Sequence, residues 1–135
     1  MLKKTSSSHP PKQLINAITT LLNQGRIADI LVRAPKILEE YPNTPTLHNM
    51  LGVIHFHHGL KQEAASYFRK TIDLLPNDPD AYNNLGNVYK DEKKYKEAIL
   101  NYEKAIKIKP NYLKAYENLF LIFQTKKDTT NSEKL

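Results

Sequence analysis

The chain has 135 residues, a formal net charge of +6 at pH 7 and no cysteine. Its length fits one domain able to hold a core, and the missing cysteines exclude disulfides, thiolate metal sites and a cysteine nucleophile. No apolar run approaches the roughly 20 residues needed to span a bilayer, and the opening Met1–Pro11 has basic residues without a hydrophobic stretch, so a soluble cytoplasmic protein is expected.

Residues 1–10 are polar and read as a disordered segment. From Pro11 onward a unit of 34 residues recurs: Pro42, Pro76 and Pro110 share this spacing, as do Leu51-Gly52 with Leu85-Gly86 and Ala64 with Ala98. A period of this length marks a solenoid, in which each unit buries its apolar face only by stacking on the next. The units are 11–44, 45–78 and 79–112, followed by a partial unit, 113–125, and a tail, 126–135, expected to be disordered.

Within the first unit, Gly25 marks a turn between two helices, and Pro35 falls inside the second. There it removes a hydrogen bond to the Leu31 carbonyl and predicts a bend. The second unit turns at Gly59, and Thr44 and Asp78 stand as helix N-caps before Pro45 and Pro79. In the third unit Tyr82, Leu85 and Tyr89, then Tyr95, Ala98, Ile99, Tyr102, Ala105 and Ile106, follow helical spacing in two runs, with Lys93 at the turn. Gly52, Gly86, Ala64 and Ala98 are expected where paired helices cross closely. The partial unit contains Leu119-Phe120-Leu121-Ile122-Phe123, apolar on every side of a last helix. The stretch is therefore expected to be covered either by a further repeat of a longer parent protein or, in the isolated chain, by self-association through Leu119, Phe120 and Phe123 as a symmetric homodimer. The architecture predicted is all-α, a solenoid of antiparallel helix pairs.

Chemistry has few footholds. His48, His55, His57 and His58 crowd one helix, but His48 and His55 occupy aromatic positions of the repeat, so packing is the expected role and no metal is assigned. The charge comes from 17 lysines and three arginines, and the lysines between Lys90 and Lys109 alternate with Glu92, Glu97 and Glu103. That pattern suits a solvated face or an acidic protein partner better than specific nucleic-acid binding. H-E-x-x-H, G-x-S-x-G and phosphate-loop signatures are absent, so no catalytic residue and no cofactor are predicted.

The repeat resembles the tetratricopeptide repeat, whose unit has an aromatic, Leu-Gly and a second aromatic in its first helix, then Ala, an aromatic and Ala in its second helix, and a closing Pro. Unit three carries Tyr82, Leu85-Gly86, Tyr89, Ala98, Tyr102, Ala105 and Pro110, and unit two carries His48, Leu51-Gly52, His55, Ala64, Phe68, Thr71 and Pro76. Unit one departs, with Ala17-Ile18 for Leu-Gly and Ile30 for the first Ala.

The resemblance implies a protein-interaction scaffold that holds a peptide or partner domain in a concave groove lined by the first helix of each unit. The sixth residues of the units are Asn16, Met50, Asn84 and Asn118, an asparagine ladder interrupted once. Asparagine donates and accepts together and so suits a peptide backbone. The implied contact set is Asn49, Asn83, Asn84, Asn87, Lys90, Lys114 and Asn118. The two-carboxylate clamp by which some members hold chaperone tails is matched by Asn84 and Lys114 and broken at Asn49, Val53 and Asn118. The rival reading makes these repeats the N-terminal arm of a longer glycosyltransferase- or sulfotransferase-like enzyme.

Overall fold

The structure, a computed structural model, describes residues 9–133, with side chains placed through Lys127. Seven helices follow in order: α1 Lys12–Asn23, α2 Ile27–Glu40, α3 Pro45–His57, α4 Lys61–Leu74, α5 Pro79–Asp91, α6 Tyr95–Ile108 and α7 Leu113–Glu133. No strand occurs among the described residues. The helices form antiparallel pairs, α1 with α2, α3 with α4 and α5 with α6, and α7 closes the stack against α6 and α5. This is the expected all-α solenoid.

The same local devices recur in each pair. Gly25, Gly59 and Lys93 adopt left-handed φ values of 70°, 76° and 61°. In each case the next residue's N–H closes the helix end on a carbonyl five residues back: Arg26 on Leu21, Leu60 on His55 and Lys94 on Tyr89, at 2.8–2.9 Å. Lys93 adopts the strained conformation without glycine's freedom. At the start of units two, three and four, one ring reaches back to a proline carbonyl six residues earlier. His48 Nε2 lies 2.8 Å from Pro42 O, Tyr82 donates to Pro76 O at 3.0 Å and Tyr116 to Pro110 O at 2.9 Å. His48 thus does the work of the tyrosine it replaces.

Asp78 caps α5 as expected, its carboxylate accepting from the Asp80 N–H at 3.0 Å. Thr44 does not cap α3. Its hydroxyl donates to the Tyr41 carbonyl at 2.7 Å, because Thr44 is buried against the preceding turn. Helix α2 continues through Pro35 to Glu40.

The core is a chain of clusters along the stack. Ile18, Leu21, Ile30, Ala34, Leu47, Leu51 and Ile54 join the first two pairs; Ala64, Ala65, Phe68, Leu85 and Val88 join the next; Ala98, Tyr102, Ala105, Tyr112, Ala115 and Ile122 fasten α7. A Cβ added at Gly52 would stand 2.6 Å from Phe68 Cε1, and one at Gly86 would stand 2.7 Å from Tyr102 Cε1. The glycine of α3 and of α5 therefore receives the ring of the following helix against its backbone, and Ala64 and Ala98 are fully buried.

Two expectations about the C-terminal end are corrected. Helix α7 runs to Glu133 instead of ending near Thr125, so residues 126–133, read as disordered, are helical. The stretch from Leu113 to Glu133 contains neither Gly nor Pro, so nothing in the backbone chemistry stops it. Nor is α7 uncovered on every side: Ile122 is buried and Leu119 packs partly against the α6 cluster. Residues 1–8 and 134–135 lie outside the described residues.

Candidate functional site

The first helices of successive units, α3, α5 and α7, lie side by side and are joined by side-chain amides. Asn84 Nδ2 donates to Asn49 Oδ1 at 3.0 Å, and Asn118 Nδ2 donates to Asn83 Oδ1 at 3.1 Å. Both pairs are 35 residues apart, so the fifth residue of one unit meets the sixth of the next. Lys90 Nζ then donates to Asn118 Oδ1 at 2.8 Å. Burial lowers the Lys90 pKa below its ordinary value, against the opposing pull of the neighbouring Asp91 charge. A lysine that gives up hydration in this way gains from an added negative partner.

The structure divides the expected contact set by what each residue already holds. Asn83 is buried and its oxygen is taken by Asn118. Asn87 accepts from the Tyr102 hydroxyl at 2.6 Å, which ties it to the second helix of its own unit. Asn49 and Asn84 are half-buried, and each amide has hydrogen-bonding capacity beyond the bond that joins them. Lys114 is exposed on the first turn of α7. Asn16, one unit further back, is exposed on α1.

Where Met50 interrupts the ladder, an apolar cleft opens. It measures about 250 Å³ and is lined by Leu22, Thr46, Asn49, Met50, Val53 and Ile54, between α1 and α3. A second cleft on the adjoining surface is lined by Pro45, Thr46, Asn49, Thr71, Leu75, Asp78 and Asp80. Asn49 borders both and reaches the ladder through Asn84. Sequence spacing located the amides but missed this apolar half, because Leu22 and Val53 belong to different units and only stacking brings them to one cleft.

His48, His55 and His58 are spent on the fold. The carbonyl of Leu51 lies 2.7 Å from His55 Nδ1 and that of Ile54 lies 2.8 Å from His58 Nδ1. A carbonyl only accepts, so each Nδ1 carries the proton. His48 and His55 also flank Tyr67, with ring centroids 6.1 and 5.1 Å away. Among the described residues no three metal-ligating side chains converge. No described helix is long and apolar enough to cross a membrane.

With the repeat geometry in place, comparison with known proteins is direct. Residues 17–79 match one tetratricopeptide-repeat family model and residues 79–112 match another. The chain belongs to the tetratricopeptide repeat family. No curated protein sequence is significantly similar to it. Among solved structures it is similar to MamA, with 29% identity and a TM-score of 0.78, over 85% of this chain and 67% of MamA. The first tetratricopeptide-repeat domain of human RPAP3 superposes with a TM-score of 0.80 at 22% identity, over 93% of this chain and 99% of that domain. The first such repeat domain of Spaghetti (RPAP3), solved with the HSP90 peptide SRMEEVD, has 22% identity and a TM-score of 0.77, over 83% and 89% of the two chains.

Proposed function

We propose that this protein is an interaction module whose concave face holds an extended segment of a partner protein. The observation that carries the reading is the juxtaposition of two unlike halves on one face. The apolar cleft at Leu22, Met50 and Val53 continues through Asn49 into the amide ladder of Asn84 and Asn118, with Lys90 at its far end. An apolar side chain of the guest fills the cleft, the amides hold its backbone, and an acidic group draws on Lys90 and on the exposed Lys114. The peptide bound by the Spaghetti domain suits the same kind of face, having a methionine followed by acidic residues. The net charge of +6 favours acidic partners over basic ones at the encounter stage.

Selection from a random peptide library displayed on phage tests the reading and requires no natural partner. Selected peptides are expected to combine a large apolar residue with carboxylates. Replacing both Asn84 and Asn118 with Ala is expected to weaken the selected peptides by about 1–3 kcal/mol, two hydrogen bonds' worth, while far-UV circular dichroism stays unchanged. Peptides that bind the double variant as well as the wild type would remove the groove from consideration.

A further inference from the structure

Helix α7 has the register of a first helix, and its residues can be compared one by one with those of α5. Tyr116 stands where α5 has Tyr82, Phe120 where it has Gly86, and Phe123 where it has Tyr89. In unit three that face is covered by α6, with Tyr102 lying on the Gly86 backbone. In α7 the same face is open: Leu113, Tyr116, Phe120 and Phe123 are 71, 46, 60 and 55% exposed.

Two features set α7 apart from α3 and α5. At residue 127, in register with Gly25, Gly59 and Lys93, the chain makes no turn, and α7 stays helical for 21 residues where α3 and α5 have 13. Phe120 fills the position where even a methyl group in α3 or α5 would collide with the covering ring. A second helix that sets a ring there, as α4 and α6 do, has no room over it; α2 covers Ile18 at the same position of unit one with Ala34 in place of that ring.

We propose that the open face of α7 is covered by α7 of a second copy of this chain, in an antiparallel, two-fold symmetric pair. An antiparallel pair with its two-fold axis between Phe120 and Phe123 sets Phe120 of each helix against Phe123 of the other. The same register sets Lys127 of one copy opposite Tyr116 of its partner, with the partner's Glu117 the next residue along, at both ends of the seam. The stripe is thus complementary to itself in size and in charge, as an isologous interface requires. Phe120 takes over for the dimer the site that Gly52 and Gly86 keep empty for an intramolecular ring. The amide ladder leaves α7 on another side, through Asn118, so dimerisation leaves the groove open.

Sedimentation velocity on the full chain, from low to high micromolar, reads the outcome. A reversible monomer–dimer equilibrium is expected. Phe120→Glu is expected to raise the dimer dissociation constant by about thirtyfold or more, the effect of losing a central aromatic anchor. Lys127→Glu and Glu117→Lys are each expected to weaken the dimer about fivefold, and the double reversal to recover most of that loss, because it restores both pairs. Circular dichroism of each variant checks that the helices persist; Phe120→Ser serves if the glutamate disturbs them. A wild type that stays monomeric at high micromolar concentration overturns the proposal. So does a dimer untouched at Phe120, or a double reversal no better than its two single variants.

Discussion

Helices α5 and α7 hold the same place in consecutive units and solve it in opposite ways. Helix α5 puts Gly86 under Tyr102 and is clasped by its own second helix, whereas α7 puts Phe120 at that position and presents it to solvent. A glycine there admits a ring from a neighbour; a phenylalanine becomes the ring and needs a different surface to receive it. In these two units the residue at this position goes with a covered or an open face, whereas α1 carries Ile18 there and is still covered by α2, which has Ala34 where α4 and α6 have a ring.

The sharpest way to break the comparison is to make α5 like α7. Gly86→Phe is expected to pry α5 from α6 and cost at least about 3 kcal/mol in urea unfolding, at the upper end of overpacking effects. Phe120→Ala, at an exposed site, is expected to change the midpoint little under conditions where the chain is monomeric. If Gly86→Phe were equally mild, the close approach of α5 and α6 would not be what holds the pair.

Alkaline pH sharpens the comparison at the same ring. Burial, with a smaller contribution from the charge of Asp91, raises the Tyr102 pKa well above its ordinary value of 10. Tyr112, which donates to the Asp80 carboxylate, is raised in the same way, first by burial and then by that bond and the charges of Asp80 and Asp78. Above pH 10 the unfolded chain loses these protons while the folded chain keeps them, so stability present below pH 10 is lost as pH rises further. Lys90, whose pKa is lowered, contributes with the opposite sign and offsets part of that loss near its own ordinary value of 10.5. Tyr102→Phe is expected to cost about 1 kcal/mol at neutral pH through the lost bond to Asn87, and to give a shallower decline of the urea midpoint above pH 10. An unchanged slope would mean that Tyr102 ionises in the folded protein as readily as in the unfolded one.

The smallest expected effect concerns the turns. Units one and two turn on glycine and unit three on Lys93 at φ 61°. Lys93→Gly is expected to stabilise the fold by up to about 1 kcal/mol, as relief of the left-handed strain outweighs the added freedom of the unfolded chain. A loss of stability on urea titration would show that the Lys93 side chain contributes more than its backbone costs.

Much of this architecture was legible because the repeat restates its requirements. The spacing of Pro42, Pro76 and Pro110 marks the units, and Gly52 with Gly86 and Ala64 with Ala98 mark the crossings that the structure places against Phe68 and Tyr102. Asn84 and Asn118 were placed on one face by the family resemblance, as equivalent positions of first helices. Their hydrogen-bond partners were not legible, since Asn49 and Asn83 meet them across units. Thr44 misled because the residue type that caps a helix also serves a preceding turn, and burial chose the turn.

Residue 127 shows where sequence stopped deciding. It is a lysine, like Lys93 one unit earlier, yet the chain turns at Lys93 and stays helical at Lys127. Local sequence determined that helices form, where their apolar faces lie and which small residues let them cross. Whether a helix ends at a given lysine was decided by tertiary packing. After Lys93 come Ala98, Tyr102 and Ala105, which are buried when α6 folds back, and that burial outweighs the strain of a left-handed lysine. After Lys127, Thr129, Ser132 and Glu133 stand where Tyr95, Ala98 and Ile99 follow Lys93, so these residues offer no apolar burial to offset the strain and the helix continues, with Phe120 open on its side.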